Sequence, residues 1–90
     1  MTLFEYDEAK RLANLEKHGI DFLDCIEVFS DRRSFEIRSD RDGEPRCLLI
    51  GALKGRVIAV IFTLRGENIR LISARKARER EVALWLTDPT

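Results

Sequence analysis

Six consecutive residues, Val57-Ile58-Ala59-Val60-Ile61-Phe62, carry no polar side chain. β-branched residues dominate the run, and they favour extended backbone. A run like that is usually a central strand covered on both faces, so it predicts an inner strand of a sheet. Just before it, Lys54-Gly55 has the form of a two-residue hairpin loop. Arg46 to Leu53 then forms the preceding strand and Arg56 to Leu64 the following one. The hairpin fixes which side chains share a face. Leu53 falls opposite Arg56, Ile50 opposite Ala59, and Arg46 opposite Thr63.

The rest of the chain is arranged around this hairpin. Phe4 and Tyr6 begin a short extended segment. Asp7 is a good N-cap for a helix over residues 8–17, with Glu8 in its first turn and Gly19 as its C′ residue. Ala9, Leu12, Ala13 and Glu16 recur there at helical spacing. Asp21 caps a second helix, with Phe22, Ile26 and Phe29 along one face, Cys25 beside them, and Ser30-Asp31 at its end. Ser34 to Arg38 alternates with period two, as a half-buried strand does. Asp40, Asp42 and Glu44 read as turn formers in a polar turn over residues 39–45. Arg65-Gly66-Glu67-Asn68 turns the chain into a fourth strand over residues 69–75. A last helix covers residues 76–86, and Asp88-Pro89 closes the chain. The expected fold is one α+β domain, residues 1–90: two helices, a four-stranded antiparallel meander and a C-terminal helix.

Charge is balanced overall, with 16 basic and 16 acidic side chains, but it is segregated along the chain. Residues 1–31 carry three basic and eight acidic groups, residues 32–64 seven and four, and residues 65–90 six and four. The sheet and the C-terminal region can thus offer a basic surface to a polyanion. There is no signal-peptide pattern and no run able to span a membrane, so a cytoplasmic protein is the expectation. Cys25 and Cys47 have no metal-ligand spacing, and one histidine accompanies them; no metal or cofactor is expected.

The densest chemistry lies in Arg70-Leu71-Ile72-Ser73-Ala74-Arg75-Lys76-Ala77-Arg78-Glu79-Arg80-Glu81. A strand runs almost directly into a helix there, with Arg75 at the junction, a placement that favours an anion such as phosphate. If Gly66-Glu67-Asn68 is the preceding loop, Arg75 lies opposite Ala59; a loop one residue shorter turns it to the other face. Either way Arg75 falls towards the Lys54–Arg56 end and away from Arg46. Lys54, Arg56, Arg75, Lys76 and Arg78 then form a basic cluster. Two readings of His18 stand: a proton carrier, or a helix end that suits the dipole.

Read together, these blocks resemble the BrnT toxin family of bacterial type II toxin–antitoxin systems. The matching residues are Phe4-Glu5-Tyr6-Asp7, Lys10, Asn14, Lys17-His18-Gly19-Ile20, Phe22 and Phe29, then Arg46, Leu49-Ile50-Gly51, Gly55-Arg56, Arg70 to Arg75, and Ala77. The family often has Trp where this chain has Tyr6. The resemblance implies a RelE-like fold, ribonuclease activity that arrests translation, and neutralisation by BrnA, an antitoxin similar to ribbon-helix-helix DNA-binding proteins. It implies two toxins held by one antitoxin dimer, with DNA met only through the antitoxin. In RelE-like toxins the cleft lies on the sheet beside hairpin basic residues and an arginine near the last strand's end, and Arg75, Arg56 and Lys54 match by position.

The catalytic candidates are therefore Arg75, Arg56 and His18, and the RNA-contacting candidates Lys54, Lys17, Arg46 and Arg78. RNA supplies its own nucleophile, the 2′-OH. Arginine stays protonated and suits charge stabilisation, while the base is His18 or a carboxylate. Two other readings compete: a non-enzymatic RNA- or protein-binding module, and a degenerate toxin that retains only antitoxin binding.

Overall fold

The computed structural model describes residues 3–40, 43 and 45–87. The order is β1 (Phe4–Glu5), α1 (Glu8–His18), α2 (Phe22–Cys25), a 3₁₀ segment (Ile26–Ser30), β2 (Phe35–Arg38), β3 (Cys47–Leu53), β4 (Arg56–Arg65), β5 (Asn68–Lys76) and α3 (Glu79–Thr87). The strands form one sheet in the order β1-β5-β4-β3-β2. β4, which contains the apolar run, is its centre. Three pairings are antiparallel, as expected. The fourth corrects the expected four-stranded sheet: β1 adds a fifth strand, parallel to β5, with Phe4 beside Ile69 and Glu5 beside Arg70. The sheet is therefore mixed. A two-residue strand paired across more than sixty positions leaves no periodic signal to read.

The Lys54-Gly55 loop is as expected. Both residues have positive φ, 49° and 80°, which is what a type I′ hairpin turn requires. Leu53 pairs with Arg56 and Ile50 with Ala59. The next turn departs from the expectation and still reaches one of its outcomes. Its loop is Gly66-Glu67, because Arg65 pairs with Asn68. That shorter loop alone would turn Arg75 over. A bulge opposite Ile61/Phe62 takes up Ile72 as an extra residue, and Arg75 returns to a position opposite Ala59.

α1 is capped as its sequence dictates. Asp7 accepts from the Ala9 and Lys10 N–H groups at 2.8 and 3.4 Å. Gly19, at φ 71°, donates its N–H to the Leu15 carbonyl. The expected second helix is only partly α-helical: after Cys25 it tightens into a 3₁₀ turn that runs to Ser30. α3 begins at Glu79, three residues later than expected. Lys76 still pairs with Ile58, and the Ala77 N–H donates to the Val57 carbonyl. The ladder thus outcompetes the helix preference of Lys76-Ala77-Arg78. Asp42, Glu44 and the closing Asp88-Pro89 lie outside the described residues.

The core sits between one sheet face and the N-terminal helices. It includes Phe22, Cys25, Val28, Leu49, Leu53, Ile58, Val60, Phe62 and Leu71. Phe4, Phe29 and Phe62 stack edge to face at 5.2 and 5.1 Å, a geometry worth about 0.5–1.5 kcal/mol per pair. Burial pushes the Cys25 thiol up to about 12, so it packs as an inert apolar group. Leu12 and Leu15 stay exposed, and Asn14 is the buried residue of α1. The helix is held by polar contacts: Arg11 bonds Glu8 and Asp21, and Asn14 bonds β5 and Ile20. Ile50 and Ala59, equally buried, belong to the opposite face.

Candidate functional site: an arginine cleft on the second sheet face

Strand alternation places Ile37, Leu48 and Ile61 side by side on the face away from α1 and α2. They form the floor of a cleft of about 600 Å³, together with Ile72 and Leu84. Among the described residues five arginines line it, Arg38, Arg46, Arg75, Arg78 and Arg80, against one carboxylate, Glu81. α3 is held beside the cleft partly by a cation–π contact, with the Arg33 guanidinium 4.1 Å from the Trp85 ring centroid.

Arg75 reaches the cleft because the bulge at Ile72 sets its register. Its guanidinium is anchored at one end. Nη1 and Nη2 donate to the two Glu81 carboxylate oxygens at 2.8 and 3.0 Å, and Nη1 also donates to the Lys76 carbonyl at 3.3 Å. Side-chain exposure is 19% for Arg75 and 10% for Glu81. Glu81 also accepts from the Arg78 N–H at 2.7 Å. Three residues into α3, it reaches back to the residue before the helix, the acidic half of a capping box. The Arg75 hydrogen bond, opposed by burial and helped by the Arg78 N–H, holds the Glu81 carboxyl below its ordinary value. One acid thus locks the end of β5 to the start of α3.

The other expected site residues fall in different places. Arg78 and Arg46 line the cleft with Arg75, although Arg46 was expected at the far end. Arg38 and Arg80 join them. Arg56 is exposed beside the β3–β4 hairpin loop; it pairs with the core residue Leu53, so alternation puts it on the face opposite Arg75. Lys76 shares that parity, opposite Ile58. Lys54 projects from the loop and meets Asp24 at 3.3 Å, an exposed pair of small energetic weight. Lys17 is exposed in the last turn of α1 and His18 half-buried beside it; neither lines the cleft. The expected cluster at one sheet end is thus divided between two faces.

Arg38, Arg80 and Glu81 were missed in the sequence. Arg38 had no signal in its strand: it pairs with the core-side Cys47, so alternation alone turns it away from Ile37, yet as the last residue of β2 it lines the cleft while its Nε donates to Asp40 at 3.1 Å. Glu81 had one: a glutamate at the third helical position marks a capping box, but only once the helix start is placed at Glu79. Among the described residues, no group of three or more His, Cys, Asp or Glu side chains is arranged to hold a metal ion. No helix among them is long and apolar enough to cross a membrane.

Fold and cleft together define a small α+β protein that presents a concentrated positive charge on a sheet face, a surface suited to a phosphate-bearing ligand. Residues 6–81 match the family described as "Ribonuclease toxin, BrnT, of type II toxin-antitoxin system". The chain belongs to that family, whose members are ribonuclease toxins with an antitoxin partner. No curated protein matches it.

Proposed function

We propose that this chain cleaves RNA in the Arg75 cleft without a metal, arrests translation in the cytoplasm, and is held inactive by a BrnA-like ribbon-helix-helix antitoxin. The observation that carries the reading is the gathering of five arginines over an aliphatic floor, with Glu81, already paired, the one acid among the described residues that line it. Such a surface grips successive phosphates and takes up the charge that grows on the scissile one. The substrate's 2′-OH gives its proton to solvent and attacks the adjacent phosphorus; the 5′ oxygen of the next nucleotide leaves with a proton from solvent, and a 2′,3′-cyclic phosphate remains. Arg75 is the central charge stabiliser, with Arg78, Arg46, Arg38 and Arg80 holding flanking phosphates. Lys54, Lys17 and Arg56 lie outside the cleft and serve, at most, more distant parts of a long RNA.

Among the described residues base catalysis has one side-chain candidate in the cleft, Glu81, and its oxygens already accept three hydrogen bonds. Charge stabilisation and positioning of the phosphate therefore supply most of the rate. His18 acts as the end of α1, where a basic side chain suits the helix dipole. The antitoxin lays acidic groups over the cleft, so its association slows with salt. Two toxins bind one antitoxin dimer, and contact with DNA comes through that dimer.

Expression in a bacterial host tests the reading. Growth should stop while cellular RNA is cut, and co-expression of the product of the neighbouring gene should restore growth in a complex of two toxins with two antitoxins by light scattering. Growth that continues with intact RNA, under verified expression of folded protein, points to a binding module or a degenerate toxin instead.

A further inference from the structure

We propose that Glu81 is a positioning residue for the arginine cleft: it holds the Arg75 guanidinium by its Nη1/Nη2 end and leaves the adjoining edge for the substrate phosphate. The inference deepens the reading of the cleft as the RNA-cleaving site and rests on it.

The argument is a count of donors. A guanidinium has five N–H bonds. Arg75 uses both on Nη1, one for Glu81 and one for the Lys76 carbonyl, and one on Nη2 for Glu81. The Nε–H and the second Nη2–H have no partner among the described residues. These two lie side by side on one edge of the planar group, the fork that matches two phosphate oxygens. The residue that carries this edge lines the cleft.

Glu81 is suited to the task in two further ways. It is itself fixed, because the same oxygen that meets Arg75 accepts from the Arg78 N–H at 2.7 Å. It is also, among the described residues, the one acid lining a cleft that holds five arginines. Arg75 without it would be pushed by its like-charged neighbours and free to sample rotamers. A preorganised donor contributes more at the transition state than a mobile one of equal charge.

A structural role alone would have Glu81 support the β5–α3 junction and nothing more. The experiment compares wild type with Glu81→Gln, which keeps the side chain's shape, and with Glu81→Asp. Cleavage of a mixed-sequence single-stranded RNA oligomer is followed at a temperature where thermal unfolding shows each protein fully folded. In parallel, the Arg75 Nε–Hε signal is observed by ¹H–¹⁵N NMR. Displacing a reacting group by about 1 Å costs on the order of 10²-fold in rate. Glu81→Gln should therefore lose on the order of 10²-fold in kcat with little change in KM, and ¹⁵N relaxation at its Arg75 Nε should show a more mobile guanidinium than in wild type. Glu81→Asp should recover part of kcat.

A folded Glu81→Gln protein that turns over at the wild-type rate overturns the proposal. So does a loss confined to KM, or an Arg75 Nε–Hε signal as ordered as in wild type. If the wild-type chain cuts no RNA, the reading of the cleft fails, and the NMR comparison still decides whether Glu81 orders Arg75.

Discussion

Asn14→Ala should be the most damaging single truncation of a polar side chain in the N-terminal helices. Asn14 sits on α1 and is 7% exposed. Its Oδ1 accepts from the Ala74 N–H at 3.0 Å and from the Ser73 hydroxyl at 3.2 Å, and its Nδ2 donates to the Ile20 carbonyl at 2.9 Å. β1 pairs with β5 at Ile69 and Arg70, and the Asn14 carboxamide serves the β5 edge further along, next to Arg75. Alanine leaves two main-chain groups without partners, each at a cost of about 1–3 kcal/mol; the Ser73 hydroxyl can rotate to water and adds little. The loss is thus about 2–6 kcal/mol, out of a total stability that for a chain of this length is roughly 5–14 kcal/mol. Even the lower figure lowers Tm by roughly 8–16 °C at about 4–8 °C per kcal/mol. Thermal unfolding by circular dichroism reads the shift, and hydrogen exchange reads the Ala74 amide directly. A loss below about 1 kcal/mol, or unchanged protection of that amide, would refute the reasoning that Asn14 completes the sheet edge.

Three further outcomes follow from the same structure. Gly51→Ala should destabilise by about 1–3 kcal/mol, because the added Cβ would stand 2.6 Å from Val28 Cγ1 and 3.0 Å from Ser34 Cβ; chemical denaturation should show part of that loss recovered by adding Val28→Ala. Glu81, with its folded-state pKa depressed by Arg75, contributes stability that is present above its ordinary value of 4.5 and lost as pH falls below it, so the acid limb of a Tm-against-pH curve should flatten in Glu81→Gln. His18→Asn should cost a few tenths to about 1 kcal/mol and leave RNA cleavage intact; a folded but inactive variant would restore His18 as a proton carrier.

Much of the fold was legible because period and punctuation carried it. The apolar run from Val57 to Phe62 pointed to an inner strand, and Lys54-Gly55 set the β3–β4 register to the residue. Capping by Asp7, Gly19 and Asp21 was equally local. What escaped was long-range or compensated. β1 is two residues long and finds β5 from the other end of the chain. The position of Arg75 opposite Ala59 was reached through a three-residue loop, whereas the chain uses a two-residue loop and a bulge, two changes that cancel. α1 was read from its apolar spacing, yet Leu12 and Leu15 face solvent and Asn14 docks the helix. The site was half legible. Arg75, Arg78 and Arg46 share the cleft. Arg56 and Lys54 were grouped with Arg75 and Arg78 by nearness along the sheet, and Arg46 was set apart; alternation turns Arg56 to the other face, Lys54 projects from the loop towards Asp24, and Arg46 lines the cleft after all. Glu81 was hidden by a helix start placed three residues too early.

The central claim is that Arg75 in the arginine cleft carries the chemistry. Cleavage of single-stranded RNA by purified wild type, Arg75→Ala and Arg75→Lys, each shown to be folded, tests it most directly. Losing a transition-state charge partner typically costs on the order of 10²–10³ in rate, and that loss is expected for Arg75→Ala. Arg75→Lys should be impaired as well, since a point charge does not replace a planar two-donor edge. Folded Arg75→Ala protein that cuts RNA at the wild-type rate would contradict the account.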